Sequence, residues 1–189
     1  MGQFVKEDVA IDVFKTGRGR PWGEHHECCF CGTERFFRPA YAGHLLDEWI
    51  PAMSGVEEKL KMGAKVADIG CGLGTSSMLM AEQYPNSTIH AFDFHEPSIE
   101  EAKKRAEEKG LSNLEFFVSD AAAIPNESYD LACIFDAWHD MGDPVGIAKS
   151  IRETLADDGT FMVVEPMALD GLKNNIDNLS LIHISEPTR

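Results

Sequence analysis

The stretch Asp68-Ile69-Gly70-Cys71-Gly72-Leu73-Gly74-Thr75 places a carboxylate just ahead of three alternating glycines. Glycines let a backbone approach a ligand with no Cβ in the way, so the stretch reads as a ligand-binding turn. A P-loop requires a lysine after its last glycine, and Gly74 is followed by Thr75, which excludes ATP and GTP. The dinucleotide pattern Gly-x-Gly-x-x-Gly is met at Gly70 and Gly72, but its third glycine falls on Thr75. An acid at position 68 is poorly placed beside a pyrophosphate. It suits a ligand with a positive ammonium, such as the methionine end of S-adenosylmethionine. Asp93 follows nineteen positions after Gly74, where a carboxylate accepts hydrogen bonds from both hydroxyls of a ribose. A glycine-rich turn without a ligand, or a dinucleotide site, is the competing reading.

The segments around these residues alternate strand-like and helix-like patterns from Lys65 onward. "KVADIG" reads as a buried strand and "TSSMLMAEQYP" as a helix stopped by Pro85. "STIHAFDF" is the second strand. "PSIEEAKKRAEEKG" is a helix with Pro97 in its first turn and Gly110 past its end. "NLEFFVSD" and "YDLACIFDA" are predicted as strands three and four. "DPVGIAKSIRETLADDG" is predicted as a helix with Asp143 as N-cap, and "TFMVVEP" as strand five. Strands joined by helices are expected to be parallel, with ligands at their C-terminal ends. The predicted division is a helical lead-in over 1–62, a ligand-binding α/β domain over 63–178 and a tail over 179–189.

The whole chain narrows the partners. It has 189 residues, 43% of them hydrophobic, which suits one globular domain. No apolar run approaches the length of a membrane span, and five cysteines form no even disulfide framework, so a cytoplasmic setting is expected. A formal net charge of −15 argues against nucleic acid as a partner of this domain, because phosphate backbones are bound by clustered Lys and Arg. A small-molecule ligand is expected.

Residues 32–178 resemble the class I S-adenosylmethionine-dependent methyltransferases, a Rossmann-like α/β fold. "GTERFFRPAYAGHLLDEWIPAMSGVEEKL", "FDAWHDMGDP" and "VVEPMALDGLKNN" resemble more narrowly a bacterial subgroup that carries a winged-helix domain ahead of the catalytic one. The resemblance implies that Gly70, Gly72 and Gly74 form the cofactor loop and that Asp93 holds the ribose; Asp68 and Cys71, in the same stretch, are expected at the cofactor with them. It further implies that Phe94 stacks on adenine, that Asp120 and Ala121 bond the adenine edge, and that Phe135 lines the other side. Two departures stand out: the chain as given begins without a winged-helix domain, and it stops soon after strand five where the family sheet has seven. "LSLIHISEPTR", Leu179 to Arg189, resembles the in-frame translation of a transposase-type sequencing adapter. Native sequence is accordingly expected to end near Asn178, with the sheet truncated.

Methyl transfer from a sulfonium is an in-line displacement that rests on positioning, with a base needed only where the nucleophile carries a proton. His139, in "AWHD" past strand four, is the candidate base. The alternative is a loop histidine bonded to Asp136 or Asp140. Glu165 either faces substrate or bonds nearby backbone. In "EHHECCFC", His25, His26, Cys28, Cys29 and Cys31 have the donor types for zinc, but no second pair follows at finger spacing, so no metal is expected. "ERFFRPAYAGHLLDEWI" reads as a helix over the pocket with Pro39 near its start and a buried stripe of Leu45, Leu46, Trp49 and Ile50. Arg38 and Tyr41 either touch the ligand or pack on the surface. Two functions remain: an enzyme methylating a small molecule, or a cofactor-binding regulator without turnover. A homodimer is compatible with both.

Overall fold

In the computed structural model, residues 6–176 are described. The predicted tail from Leu179 to Arg189 lies outside them. Five strands form one parallel sheet: β1 Lys65–Ile69, β2 Thr88–Asp93, β3 Leu114–Val118, β4 Tyr129–Phe135 and β5 Leu155–Val164, in the order β3-β2-β1-β4-β5. The order reverses at β1, so the crevice between the β1 and β4 C-terminal ends is the topological switch point where such sheets bind ligands. This is the parallel α/β sheet expected from the alternation of segments, in the Rossmann-like form that the resemblance implies.

The helices are α1 Glu7–Thr16, α2 Glu27–Ala40, α3 Val56–Met62, α4 Thr75–Gln83, α5 Glu96–Lys109 and α6 Pro144–Thr154. Local chemistry explains their ends. Gly110 closes α5 in the left-handed conformation that costs a glycine least, and Asp143 caps α6 by accepting from the Gly146 amide at 2.9 Å. Val66, Leu131 and Cys133 face one side of the sheet, against Leu45, Ile50, Leu60 and Met80; Ala67, Ile69, Ala132 and Ile134 face the other, against Ile147 and Ile151. The alternation of neighbouring residues between these two cores is the period-two signature of a strand buried on both faces.

Two expectations change. Pro39 lies near the C-terminal end of α2, which starts at Glu27, and the chain continues directly into a π-helical segment, Tyr41–Trp49. Proline removes the amide that would bond back one turn, and past it the backbone bonds in the wider register, as in Ile50 N–H to Leu45 O at 3.0 Å. Leu45 and Ile50 are fully buried, while Leu46 and Trp49 pack half-buried against the same core. The helix expected to run to Gly159 ends at Thr154, where Leu155 turns extended and pairs with Tyr129. β5 then slips register before Thr160 meets Leu131, and Gly159 passes so close to β4 that a Cβ there would lie 2.6 Å from the Tyr129 carbonyl. The segment before the sheet is helical: α1, a short turn at Trp22–Glu24 and α2 contribute residues to a cavity wall at the strand ends.

Candidate functional site

Beyond β1 the chain turns through Gly70, Gly72 and Gly74, with φ of 72°, 53° and 75°. Non-glycine residues adopt this region at a steric cost, which explains the spacing. The amides of Gly70 and Cys71 both donate to the Phe92 carbonyl at 2.8 and 3.0 Å, and Gly72 N–H donates to Asp93 Oδ2 at 2.8 Å. Asp93 Oδ1 accepts the His95 amide at 2.8 Å. Each carboxylate oxygen is thus held by one amide and keeps a lone pair for a second donor. Burial raises the Asp93 pKa above the ordinary carboxylate value, against the pull of these two amides.

Gly70, Cys71, Gly72, Asp93, Phe94, Asp120, Ala121, Phe135 and His139 all line one cavity of about 1040 Å³. Two residues of the predicted set do not line it. Gly74 is directed into the core: a Cβ there would lie 2.7 Å from the Phe116 ring and 3.2 Å from Ala102. Its part is packing α4 against β3 and α5. Asp68 lies beneath the loop, fully buried, with Oδ2 accepting the Ser76 and Ser77 hydroxyls at 2.6 Å each. Its other oxygen, Oδ1, is buried without a hydrogen-bond partner, and burial pushes its pKa up to about 6. Gly72 differs from Gly74 in that a Cβ would meet nothing within 4 Å.

The opposite wall carries the candidate base. His139 lies in the turn Trp138–Asp140, and its Nδ1 is 2.5 Å from Glu165 Oε2, with Asp140 3.7 Å from Nε2. Glu165 Oε1 accepts the amides of Ala137 and Trp138 at 3.0 and 2.7 Å. The partner of His139 is therefore Glu165, at the end of β5, rather than Asp136 or Asp140 alone. An ionised carboxylate only accepts, so Nδ1 carries the proton in the neutral ring and Nε2 the lone pair. The Glu165 hydrogen bond is the main cause that raises the His139 pKa above 6.5. Donor atoms of Asp136, His139 and Glu165 lie within 4.8 Å of one another, a grouping of the kind that holds a cation. Here Glu165 is already engaged by two amides and an imidazole, an arrangement suited to orienting the ring.

Several contributors escape sequence reasoning. Glu34 accepts from Thr75 Oγ1 at 2.8 Å and from Arg38 Nε at 2.7 Å, tying α2 to the first turn of α4. Arg38 itself is exposed and absent from the cavity wall, whereas Tyr41 lines it and packs on Phe135 with ring centroids 5.4 Å apart. Cys28 and Cys31 are exposed on α2, while Cys29 lines the cavity. Only the Glu34–Arg38 spacing of four residues was visible as a helical ion pair.

Residues 60–183 match the family described as a methyltransferase domain. The chain belongs to that family. It is 28% identical over 172 residues to the sterol 24-C-methyltransferase erg6 of Aspergillus fumigatus, covering 89% of this chain and 42% of that protein. It is 34% identical over 105 residues to the ubiquinone biosynthesis O-methyltransferase of Actinobacillus pleuropneumoniae, covering 52% of this chain and 44% of that one. The chain thus spans less than half the length of these relatives. The fold is shared with a crystal structure of coclaurine N-methyltransferase bound to N-methylheliamine and SAH, at a TM-score of 0.55 and 22% identity, over 63% of this chain and 34% of that one. S-adenosylmethionine dependence is the general property of the family. Among the described residues no helix is long and apolar enough to cross a membrane.

Proposed function

We propose that the cavity holds S-adenosylmethionine and that the chain methylates a small molecule whose nucleophilic atom carries a proton. One observation carries this reading: a glycine loop with an amide-held Asp93 and an oriented His139–Glu165 pair line the same cavity.

The residues present fit the cofactor. Asp93 retains acceptor capacity toward a ribose diol, Phe94 offers a ring at the rim, and Asp120 and Ala121 stand where the adenine edge would lie. Phe135 closes the other side. The open space beside Gly72 admits a ligand where any side chain would project into the cavity. The buried, unpartnered Oδ1 of Asp68 supplies negative potential behind the loop, which favours a cationic ligand group over a pyrophosphate. When bound, S-adenosylmethionine would supply an electrophilic methyl group on a sulfonium.

The chain's own residues do the rest. Glu165 fixes the ring of His139 and its tautomer, so Nε2 is the atom that takes the acceptor's proton. Residues of α1 and α2, among them Glu7, Ala10, Cys29 and Phe30, line the cavity and would cover part of a bound ligand. The named relatives act on a sterol and in ubiquinone biosynthesis, and both are methyltransferases, which favours an enzyme over a regulator without turnover. Incubation of the chain with S-adenosylmethionine and a panel of small phenols, amines and acids tests the proposal. Formation of S-adenosylhomocysteine that depends on one acceptor class supports it. Cofactor binding without turnover on any acceptor would favour the regulator.

A further inference from the structure

Arg20 lies between α1 and the Trp22–Glu24 turn and lines the same cavity as Asp93 and His139. The residue is only 4% exposed. Within the protein, its Nη2 donates to the Glu24 carbonyl at 3.3 Å, while Nε and Nη1 are buried with no hydrogen-bond partner. A guanidinium cannot shed its proton to escape burial, and a buried charge with unsatisfied donors is costly unless something pairs with it. Arg20 is also the one Lys or Arg among the described residues that line the cavity. Of the wall acids, Glu34 is taken by Arg38 and Thr75, Asp93 by two amides, and Asp120 accepts the Ala122 amide.

We infer that Arg20 is an anion anchor that receives a ligand carboxylate through its Nε and Nη1 edge. The planar fork matches a carboxylate in two parallel bonds. The wall also carries Glu7, Glu34, Asp93, Asp120, Asp136 and Asp140, whose field opposes a multiply charged phosphate and tolerates a single carboxylate more readily. Two molecules bring such a group: the cofactor, through its methionine end, and a methyl acceptor that is itself an acid. The inference rests on the proposed reading of the cavity and names the ligand chemistry within it.

Calorimetry on the full chain, with Arg20→Gln and Arg20→Lys, separates the sources. If the cofactor's carboxylate is the ligand, Arg20→Gln weakens S-adenosylhomocysteine at least tenfold and leaves 5′-methylthioadenosine, which lacks the amino acid, unchanged. If the acceptor's carboxylate is the ligand, S-adenosylhomocysteine binds equally to both proteins. Benzoate then binds the wild-type complex and not the Gln variant. In either case Arg20→Lys retains part of the affinity. The wild-type protein gives an independent readout, because the Arg20 Nε–H resonance in a ¹⁵N spectrum shifts when the carboxylate arrives. Absence of a shift with both S-adenosylhomocysteine and benzoate overturns the inference, as does equal binding of both by the Gln variant. Should S-adenosylhomocysteine fail to bind wild type while benzoate moves the Arg20 signal, the cofactor reading fails and the anion anchor stands.

Discussion

Replacing Asp68 with asparagine should make the ligand-free protein more stable at neutral pH and a poorer cofactor binder. Asp68 is fully buried, and it titrates near 6 in the fold against 3.8 in the absence of perturbation, with burial as the main cause. Keeping such a group ionised costs the native state on the order of 3 kcal/mol above pH 7. The sign follows from the raised value. Below about pH 3 the group is protonated in both states and costs nothing; the penalty grows as pH rises from 3.8 towards 6 and is fully present above the folded value. The asparagine carbonyl can accept the Ser76 and Ser77 hydroxyls that Asp68 Oδ2 now takes at 2.6 Å. Its amide adds a buried donor in place of Oδ1, a mismatch of roughly 1–3 kcal/mol that does not vary with pH. Urea unfolding at pH 4 and pH 8 therefore isolates the charge. The stability of Asp68→Asn relative to wild type should improve by roughly 2–2.5 kcal/mol between the two conditions. Calorimetry at pH 8 should show weaker S-adenosylhomocysteine binding by the variant. A stability gap independent of pH would refute the buried-charge argument, and unchanged binding would refute its link to the ligand.

Asp93→Ala removes two acceptors aimed at a ribose and should weaken S-adenosylhomocysteine by on the order of 2–4 kcal/mol; an unchanged dissociation constant would remove Asp93 from the site. Because the Glu165 hydrogen bond raises the His139 pKa above 6.5, turnover should rise with pH to a midpoint above that value. Glu165→Gln should move the midpoint down and lower kcat more than it changes KM, and a profile indifferent to the substitution would rule out the pairing in catalysis. The same raised value stabilises the fold below the unfolded histidine pKa, and that gain is lost as pH climbs through the folded value. Gly74→Ala should cost roughly 1–3 kcal/mol of stability through its clash with Phe116 and its left-handed φ. Gly72→Ala should melt closer to wild type yet lose cofactor affinity, and the reverse ordering in melting and calorimetry would contradict the two roles.

The order of strands and helices from Lys65 was legible because Gly70, Pro85, Pro97, Gly110 and Pro144 punctuate it and each strand is a short apolar run. Asp93 and Phe135 end strands in that order and line the cavity; spacing pointed to Asp93, and the family resemblance to Phe135. What local pattern cannot show is pairing across the chain. His139 meets Glu165 only because β4 and β5 run side by side, twenty-six residues apart in sequence. Nothing local in the sequence marks Arg20, whose burial is a property of the folded chain. Asp68 and Gly74 were placed at the ligand because the motif is written as one string. In space the string winds around the loop, leaving Asp68 in β1 beneath the loop and turning Gly74 into the core. The early start of β5 was hidden because "LADDG" resembles a helix end, and the pairing of Leu155 with Tyr129 overrides that local signal.

The most direct test of the central claim is calorimetric titration of the 189-residue chain with S-adenosylhomocysteine and, separately, with NAD. A cavity with Asp68 behind its loop and Thr75 where a dinucleotide site needs glycine should bind S-adenosylhomocysteine in the micromolar range or tighter, and NAD at least a hundredfold more weakly, a gap of about 2.7 kcal/mol. Tighter binding of NAD would contradict the account.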